Sequence, residues 1–296
     1  MAKESIVSGR PIYGTTVEGK TMDEERALYG STGIRVISCR FDGPADGESA
    51  LKESKIVLTE DCFFNLRYPL WHVTGLRMNH CVQTDKCRAA IWYTKEALIS
   101  DCVLHGIKAV RECADIAIRN CDIISPECGW MCANVTMENT SCEGEYFLLH
   151  TDGIRLNNVR LNGKYSFQYV KGGLVENSVL NTKDAFWHAQ GVTVRNSVIC
   201  GEYLGWYSDG LTLDHCTIIG TQPLCYCKNL TLIDCVMQDT DLAFEKSDVE
   251  ATVASHVDSI KNPKSGSITV HSVGEIIKDD PDAKAVIVVT EQKESE

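Results

Sequence analysis

The sequence predicts an all-β protein: a right-handed parallel β-helix, a single solenoid of about thirteen short coils with small capping elements at both ends. Three observations predict it. A repeat of 19 residues runs through most of the chain, apolar and polar residues alternate with period two inside each repeat, and one bend per repeat carries Asn or Asp followed by a small residue.

Stepping by 19 from Cys102 lands on Cys121, Thr140, Val159, Ser178, Ser197, Cys216 and Cys235. The residues before these are Asp101, Asn120, Asn139, Asn158, Asn177, Asn196, His215 and Asp234. Two residues after each comes Leu104, Ile123, Cys142, Leu161, Leu180, Ile199, Ile218 or Met237. Looser copies stand at Cys39, Cys62 and Cys81, and near His256 and Val273. In the stretch Gly191 to Ile199, Val192, Val194 and Ile199 are expected inside, with Thr193 and Arg195 outside, which is the pattern of a strand. A 19-residue unit is too short for an ankyrin or TPR helix pair and suits three strands and three turns. The Asn column marks a tight bend, because Asn tolerates the left-handed conformation. Stacked Asn side chains also hydrogen-bond from coil to coil. The Cys column is expected to pack inside as a ladder of small residues.

The ends of a solenoid need covers. Residues 1–30 are expected to form an N-terminal cap, with Thr21 to Tyr29 as a short helix capped by threonine and ended by Gly30. Residues 31–275 are the β-helix. Residues 276–296 supply a cap strand, Val286 to Thr290, and a disordered tail.

The net charge of −12 argues against nucleic acid or an anionic membrane as partner. The start, MAKESIVSGR, has no apolar signal core, so a cytoplasmic protein with reduced thiols is expected. Fifteen cysteines then read as small buried hydrophobes. Cys225 with Cys227, and Cys128 with Cys132, have spacings found in metal sites, but alternate strand residues face one side, here the interior. No metal and no cofactor is assigned.

The ladder of Asn, Ser or Cys, any residue, then an apolar one, with Gly beyond it, resembles the pectate-lyase-like β-helix superfamily. Phe41 to Glu53 (FDGPADGESALKE), Tyr68 to His72 (YPLWH), Gly201 to Tyr207 (GEYLGWY) and Gly220 to Cys227 (GTQPLCYC) resemble an uncharacterised bacterial β-helix family, a domain of unknown function. The resemblance spans nearly the whole chain and implies the fold. It implies no catalytic residues, and lyases, hydrolases, esterases and binding proteins share that fold.

In that superfamily ligands lie on the outer face of the strand stack that precedes the strand ending at the Asn bend. Here that stack contains Phe147 to Asp152, Ser166 to Lys171, Ala185 to Gln190 and Leu204 to Asp209. Read as strands, these segments place Trp130, Leu149, Trp187 and Trp206 inside. Outside runs one column: His72, Tyr93, Glu112, Met131, His150, Tyr169, His188, Tyr207, Tyr226 and Glu245. Its rings suit stacking on a sugar face, with polar tips for hydroxyls. His150 and His188 are the candidate catalytic histidines, two coils or roughly 10 Å apart. Loop residues Lys183, Asp184 and Glu202 overhang the column, and Asp184 with Glu202 is a candidate catalytic carboxylate pair. Tyr169, Tyr207, Tyr226, Asp152, Lys171 and Asp209 are the candidate substrate-binding residues. The expected function is a carbohydrate-active or carbohydrate-binding protein, a lyase or hydrolase of small glycans if an enzyme. The alternative is a non-catalytic scaffold or homo-oligomer that uses the same column as an interface. A bare preference for aromatics on an exposed strand face gives the same pattern, and loop carboxylates are usually only solvated.

Overall fold

A computed structural model describes residues 11–291. Among them every regular element is a β-strand and there is no α-helix. The chain divides into two compact units, Met1–Cys142 and Glu143–Glu296. In each, strands pair in parallel with the equivalent strand one coil later.

In the first unit one strand stack contains Thr15–Glu18, Thr32–Ile37, Lys55–Glu60, Thr74–Asn79, Lys95–Ser100 and Ala114–Arg119. Lys95 lies opposite Ala114 and Val103 opposite Asp122, so the 19-residue repeat is the pairing register. Longer steps, Thr32 to Lys55 and Thr74 to Lys95, are absorbed in the turns.

The second unit repeats a two-strand pattern: Lys171–Glu176 with Val179–Lys183, Gln190–Arg195 with Val198–Cys200, and Thr212–Asp214 with Thr217–Ile219. Lys171 pairs with Gln190 and Val179 with Val198, again 19 residues on. Val175, Leu180, Val192, Val194, Ile199 and Leu213 are buried, while Thr193 and Arg195 are half-exposed. The period-two alternation therefore does face the core as it reads.

The bend column is left-handed. φ is +52° at Asn120 and +51° at Asn139 in the first unit, and +53° at Asn177 and +48° at Asn196 in the second. The residue that follows closes the bend from inside. Cys81 Sγ accepts the backbone N–H of Cys62 at 3.4 Å and donates to Asn79 O at 3.1 Å. Cys102 does the same for Cys81, at 3.3 Å, and for Ser100 O, at 3.0 Å. In the second unit Ser197 Oγ accepts from Ser178 N and donates to Arg195 O. A small side chain with one donor and one acceptor satisfies two buried backbone groups per bend, so Cys, Ser and Thr interchange there. The outer Asn ladder is partial. Asn120 donates to Asp101 and Asn139 to Asn120, but Asn177 donates to Asn157.

The helix expected over Thr21–Tyr29 does not form. Thr21–Met22 is a strand paired with Arg40–Phe41, followed by turns with φ +57° at both Arg26 and Leu28. The Arg26 N–H bonds to Glu48 O and that of Gly30 to Lys52 O, so the donors serve the next coil rather than a helical turn. Pairing begins at Thr15, inside the segment read as a cap. At the other end Val286–Val289 pairs with Ser267 to Val270. The disordered tail expected there lies, apart from Glu291, outside the described residues. Among the described residues no helix is long and apolar enough to cross a membrane.

Candidate functional site

In the second unit the third side of each coil is a turn, not the strand the alternation suggested. In residues 184–189, φ is +53° at Asp184, +60° at Phe186 and +55° at His188. The coils before and after repeat this at Tyr165, Phe167 and Tyr169, and at Tyr203, Gly205 and Tyr207. These N–H groups still pair between coils, as His188 N to Trp206 O at 3.0 Å and Asp184 N to Glu202 O at 2.9 Å. Each bulky left-handed residue costs about 1 kcal/mol, so this face is held by its packing.

The turn changes which side chains point in. Phe147 with Leu148, Ser166 with Phe167, and Ala185 with Phe186 are buried as consecutive pairs. Phe167 and Phe186 stack inside at 4.6 Å. Leu149, Trp187 and Trp206, expected inside, are half-exposed. In the first unit Trp130 is half-exposed too, and Arg111 lies 4.9 Å from its ring and 5.1 Å from that of Trp92. After an αR–αL pair two neighbours share a side, so strict alternation fails.

Three outer columns result in the second unit. The first is the predicted His/Tyr column, a ladder of five rings. Centroid distances are 4.5 Å for His150–Tyr169, 4.8 Å for Tyr169–His188, 5.1 Å for His188–Tyr207 and 5.0 Å for Tyr207–Tyr226. Planes lie 9–14° apart. The rings therefore cover one another's faces, and edges, hydroxyls and ring nitrogens meet solvent. That corrects the expectation that these faces are open to a sugar. Tyr169 and Tyr207 are exposed, His150 is exposed, and His188 and Tyr226 are half-buried. Burial, and then the Glu245 carboxylate, push the Tyr226 phenol up. In the first unit His72 and Tyr93 stack in the same way at 4.7 Å.

The second column holds Gln168, Trp187 and Trp206. The Trp187 indole N–H donates to Tyr203 O at 2.7 Å and that of Trp206 to Gln222 O at 2.8 Å. Their planes are 7° apart with centroids 5.5 Å apart, wider than face-to-face contact, so the indoles are offset. Trp206 meets Tyr203 edge-on at 5.3 Å.

The third column is Tyr146, Tyr165, Asp184, Tyr203 and Gln222. Tyr146 and Tyr165 stack at 4.9 Å. Asp184 then interrupts the rings. It is 7% exposed, and among the described residues no hydrogen bond is made to its carboxylate, although the Gln168 side-chain amide donates to its backbone oxygen at 3.0 Å. Burial raises its pKa above the usual carboxylate value; Lys183 opposes this and Glu202 adds to it. Glu202 is exposed one coil later. The three other aspartates with shifted pKa values, Asp42, Asp122 and Asp214, move down because they accept hydrogen bonds from Asn65, Ser141 and His215. Of the two carboxylates, Asp184 is buried and Glu202 is exposed.

Asp152, Lys171 and Asp209 are exposed and stand in register along the rim, where the chain enters the next strand. Asn229 donates to Asp209 at 2.7 Å. Stepping by 19 from Asp184 gives the Tyr165 and Tyr203 column, so that column was within reach of the sequence once the turn was known. The indole column was hidden by the strand assumption.

Among the described residues no three His, Cys, Asp or Glu side chains gather as a metal group. Cys225 and Cys227 both face the interior, and burial pushes their thiols up to about 12 and about 11. Protonated thiols are poor metal ligands.

Comparisons with solved structures find distant likeness. A double mutant of the periplasmic alginate epimerase AlgG is 9% identical, over 86% of this chain and 75% of that one, with a TM-score of 0.34. The Agl-KA catalytic domain is 9% identical over 86% and 61%, with a TM-score of 0.31. QnrB1, a plasmid-mediated fluoroquinolone resistance protein, is 12% identical over 81% and 90%, with a TM-score of 0.21. No curated protein matches. A family model matches residues 15–289, the whole span of paired strands, and the chain belongs to the family described as "Protein of unknown function (DUF3737)".

Proposed function

We propose that the outer turn face of the second unit binds a carbohydrate and acts on it as a lyase or hydrolase of small glycans. The observation that carries this is the Asp184 carboxylate, buried and without a hydrogen bond among the described residues, in the same turn that brings Trp187 to the half-exposed surface. Trp187 and Trp206 supply apolar faces for a sugar ring. The phenol and imidazole edges of His150, Tyr169, His188, Tyr207 and Tyr226 supply hydroxyl partners, and Asp152, Lys171 and Asp209 bound the rim. Asp184 gives a proton to the departing glycosidic oxygen. Glu202 activates water in a hydrolase, or takes the ring proton in a lyase.

Calorimetric titration with mono- and oligosaccharides tests this. Trp206→Ala is expected to weaken a bound sugar about tenfold. Asp184→Asn is expected to keep binding and lower turnover by about 100-fold or more. Absence of binding by every sugar to folded protein overturns the reading.

The exposed edges of Tyr169 and Tyr207 favour a second reading, in which the ladder is the interface of a homo-oligomer. Light scattering behind size exclusion decides: a dimer that Tyr207→Ala converts to monomer supports it.

A further inference from the structure

We propose that two copies of this chain pair through their last strands, Val286–Val289, edge to edge and antiparallel. Among the described residues that strand is paired on one side alone, with Ser267 to Val270 of the coil before. Ile287 and Val289 stand in register with Ile268 and Val270, which are fully buried. They point into the core, yet Val289 is 43% exposed and Ile287 is half-exposed. The core is therefore open to solvent at this edge. Val286 and Val288, on the outer side, are 59% and 47% exposed. An apolar edge with no Lys, Pro or Gly to protect it recruits another strand.

The backbone fixes the register. Thr290 donates its N–H to Val270 O. Alternate residues of a parallel strand bond to the same side, so Val286 and Val288 also face the coil before. The N–H and C=O groups of Ile287 and Val289 then point to the open edge. Ala285 and Glu291 offer no N–H there, because theirs are bonded to Pro263 O and His271 O. An antiparallel copy therefore meets every open group of Ile287 and Val289 where Ile287 of each copy lies opposite Val289 of the other. That register puts Val288 opposite itself on a two-fold axis, in a pair without hydrogen bonds, and joins the two open cores under one continuous sheet. Glu291 falls opposite Ala285, beside Lys284 of the other copy, so the flanking charges are complementary.

The alternatives offer less. The residues that follow in the sequence, Gln292 to Glu296 (QKESE), hold no apolar side chain to cover Val289. The first strand of another copy, Thr15–Glu18 (TTVE), brings one apolar residue, Val17, and an exposed Glu18. The last strand of another copy is apolar throughout and is its own complement.

Light scattering behind size exclusion, on the full chain from ~1 μM to ~1 mM, tests this. A dimer is expected. Val288→Lys sets like charges face to face and is expected to weaken the dimer at least tenfold, with unchanged far-ultraviolet circular dichroism because the side chain it replaces is exposed. Val288→Cys, made with Cys200→Ser to remove the one partly exposed native thiol, is expected to form a covalent dimer on mild oxidation. Val286→Cys, which this register places opposite Thr290, is expected not to. A parent that stays monomeric at ~1 mM, or equal cross-linking of the two cysteine variants, overturns the inference. A dimer that Val288→Lys leaves intact and Tyr207→Ala dissociates overturns it in favour of the ring ladder.

Discussion

His188 and Tyr207, 19 residues apart in sequence, lie with ring centroids 5.1 Å apart and planes 9° from parallel. Tyr207 meets Tyr226 on its other face at 5.0 Å. Tyr207→Ala therefore removes both stacked ring contacts at once, together with the edge contact to Trp206. We expect a loss of about 1–2 kcal/mol, read by urea unfolding. Tyr207→Phe keeps these contacts and is expected to unfold like the parent.

Asp184→Asn is expected to stabilise the protein at neutral pH. Burial raises the Asp184 pKa in the folded chain, so the folded state prefers the protonated carboxyl. That preference contributes fully below the unfolded-state pKa and is lost as pH rises through the raised folded value. The Asn variant has no such loss. Its melting temperature is expected to exceed that of the parent by a few degrees at pH 7, about 1 kcal/mol, with the difference closing in acid. A constant difference across pH refutes the assignment.

Gly191 and Glu96 share one backbone position, the second residue of a strand, with φ +60° and +57°. A Cβ on Gly191 meets nothing within 4 Å, so Gly191→Ala costs only backbone strain, about 1 kcal/mol. Glu96→Gly is expected to stabilise by a similar amount, being exposed and already left-handed. Thermal denaturation of the two variants, shifting in opposite directions, checks this.

Cys102 accepts the Cys81 N–H and donates to Ser100 O. Cys102→Ser keeps both bonds and is expected to cost little. Cys102→Val orphans a buried N–H and is expected to cost about 2 kcal/mol. Fourteen of the fifteen cysteines are buried, the exception being the partly exposed Cys200. The folded protein is therefore expected to titrate at most one thiol with an exposed-thiol reagent, and all fifteen after denaturation.

Most of the coil was legible because its signals are local and repeat in register. Asn177 and Asn196 mark left-handed bends, Ser178 and Ser197 the inner acceptors, and Val192 and Val194 the core. The turn face was not legible because period two reads alike in a strand and in a run of alternating left- and right-handed residues. Only the second pairs Ala185 with Phe186 inside and turns Trp187 out. The helix at Thr21 to Tyr29 failed for a related reason. Its composition suits a helix, but the N–H groups of Arg26 and Gly30 are claimed by the following coil. Long-range pairing overrode local propensity in both places. The candidate carboxylates followed from column counting, whereas the exposure of each depends on neighbours that only the folded turn supplies.

Where an inner hydroxyl or thiol closes a bend, it belongs to the coil that comes after: Ser178 serves Val159, Ser197 serves Ser178, and Cys102 serves Cys81, whereas Val159 brings no such group. Such a coil is finished by its successor, and without that successor it presents one unmet donor that a correctly phased newcomer satisfies. A lineage built this way lengthens or shortens by whole coils at small cost, because the newcomer brings its own clasp. A gain or loss of a few residues inside a coil puts every later clasp out of step, unless a turn takes up the slack.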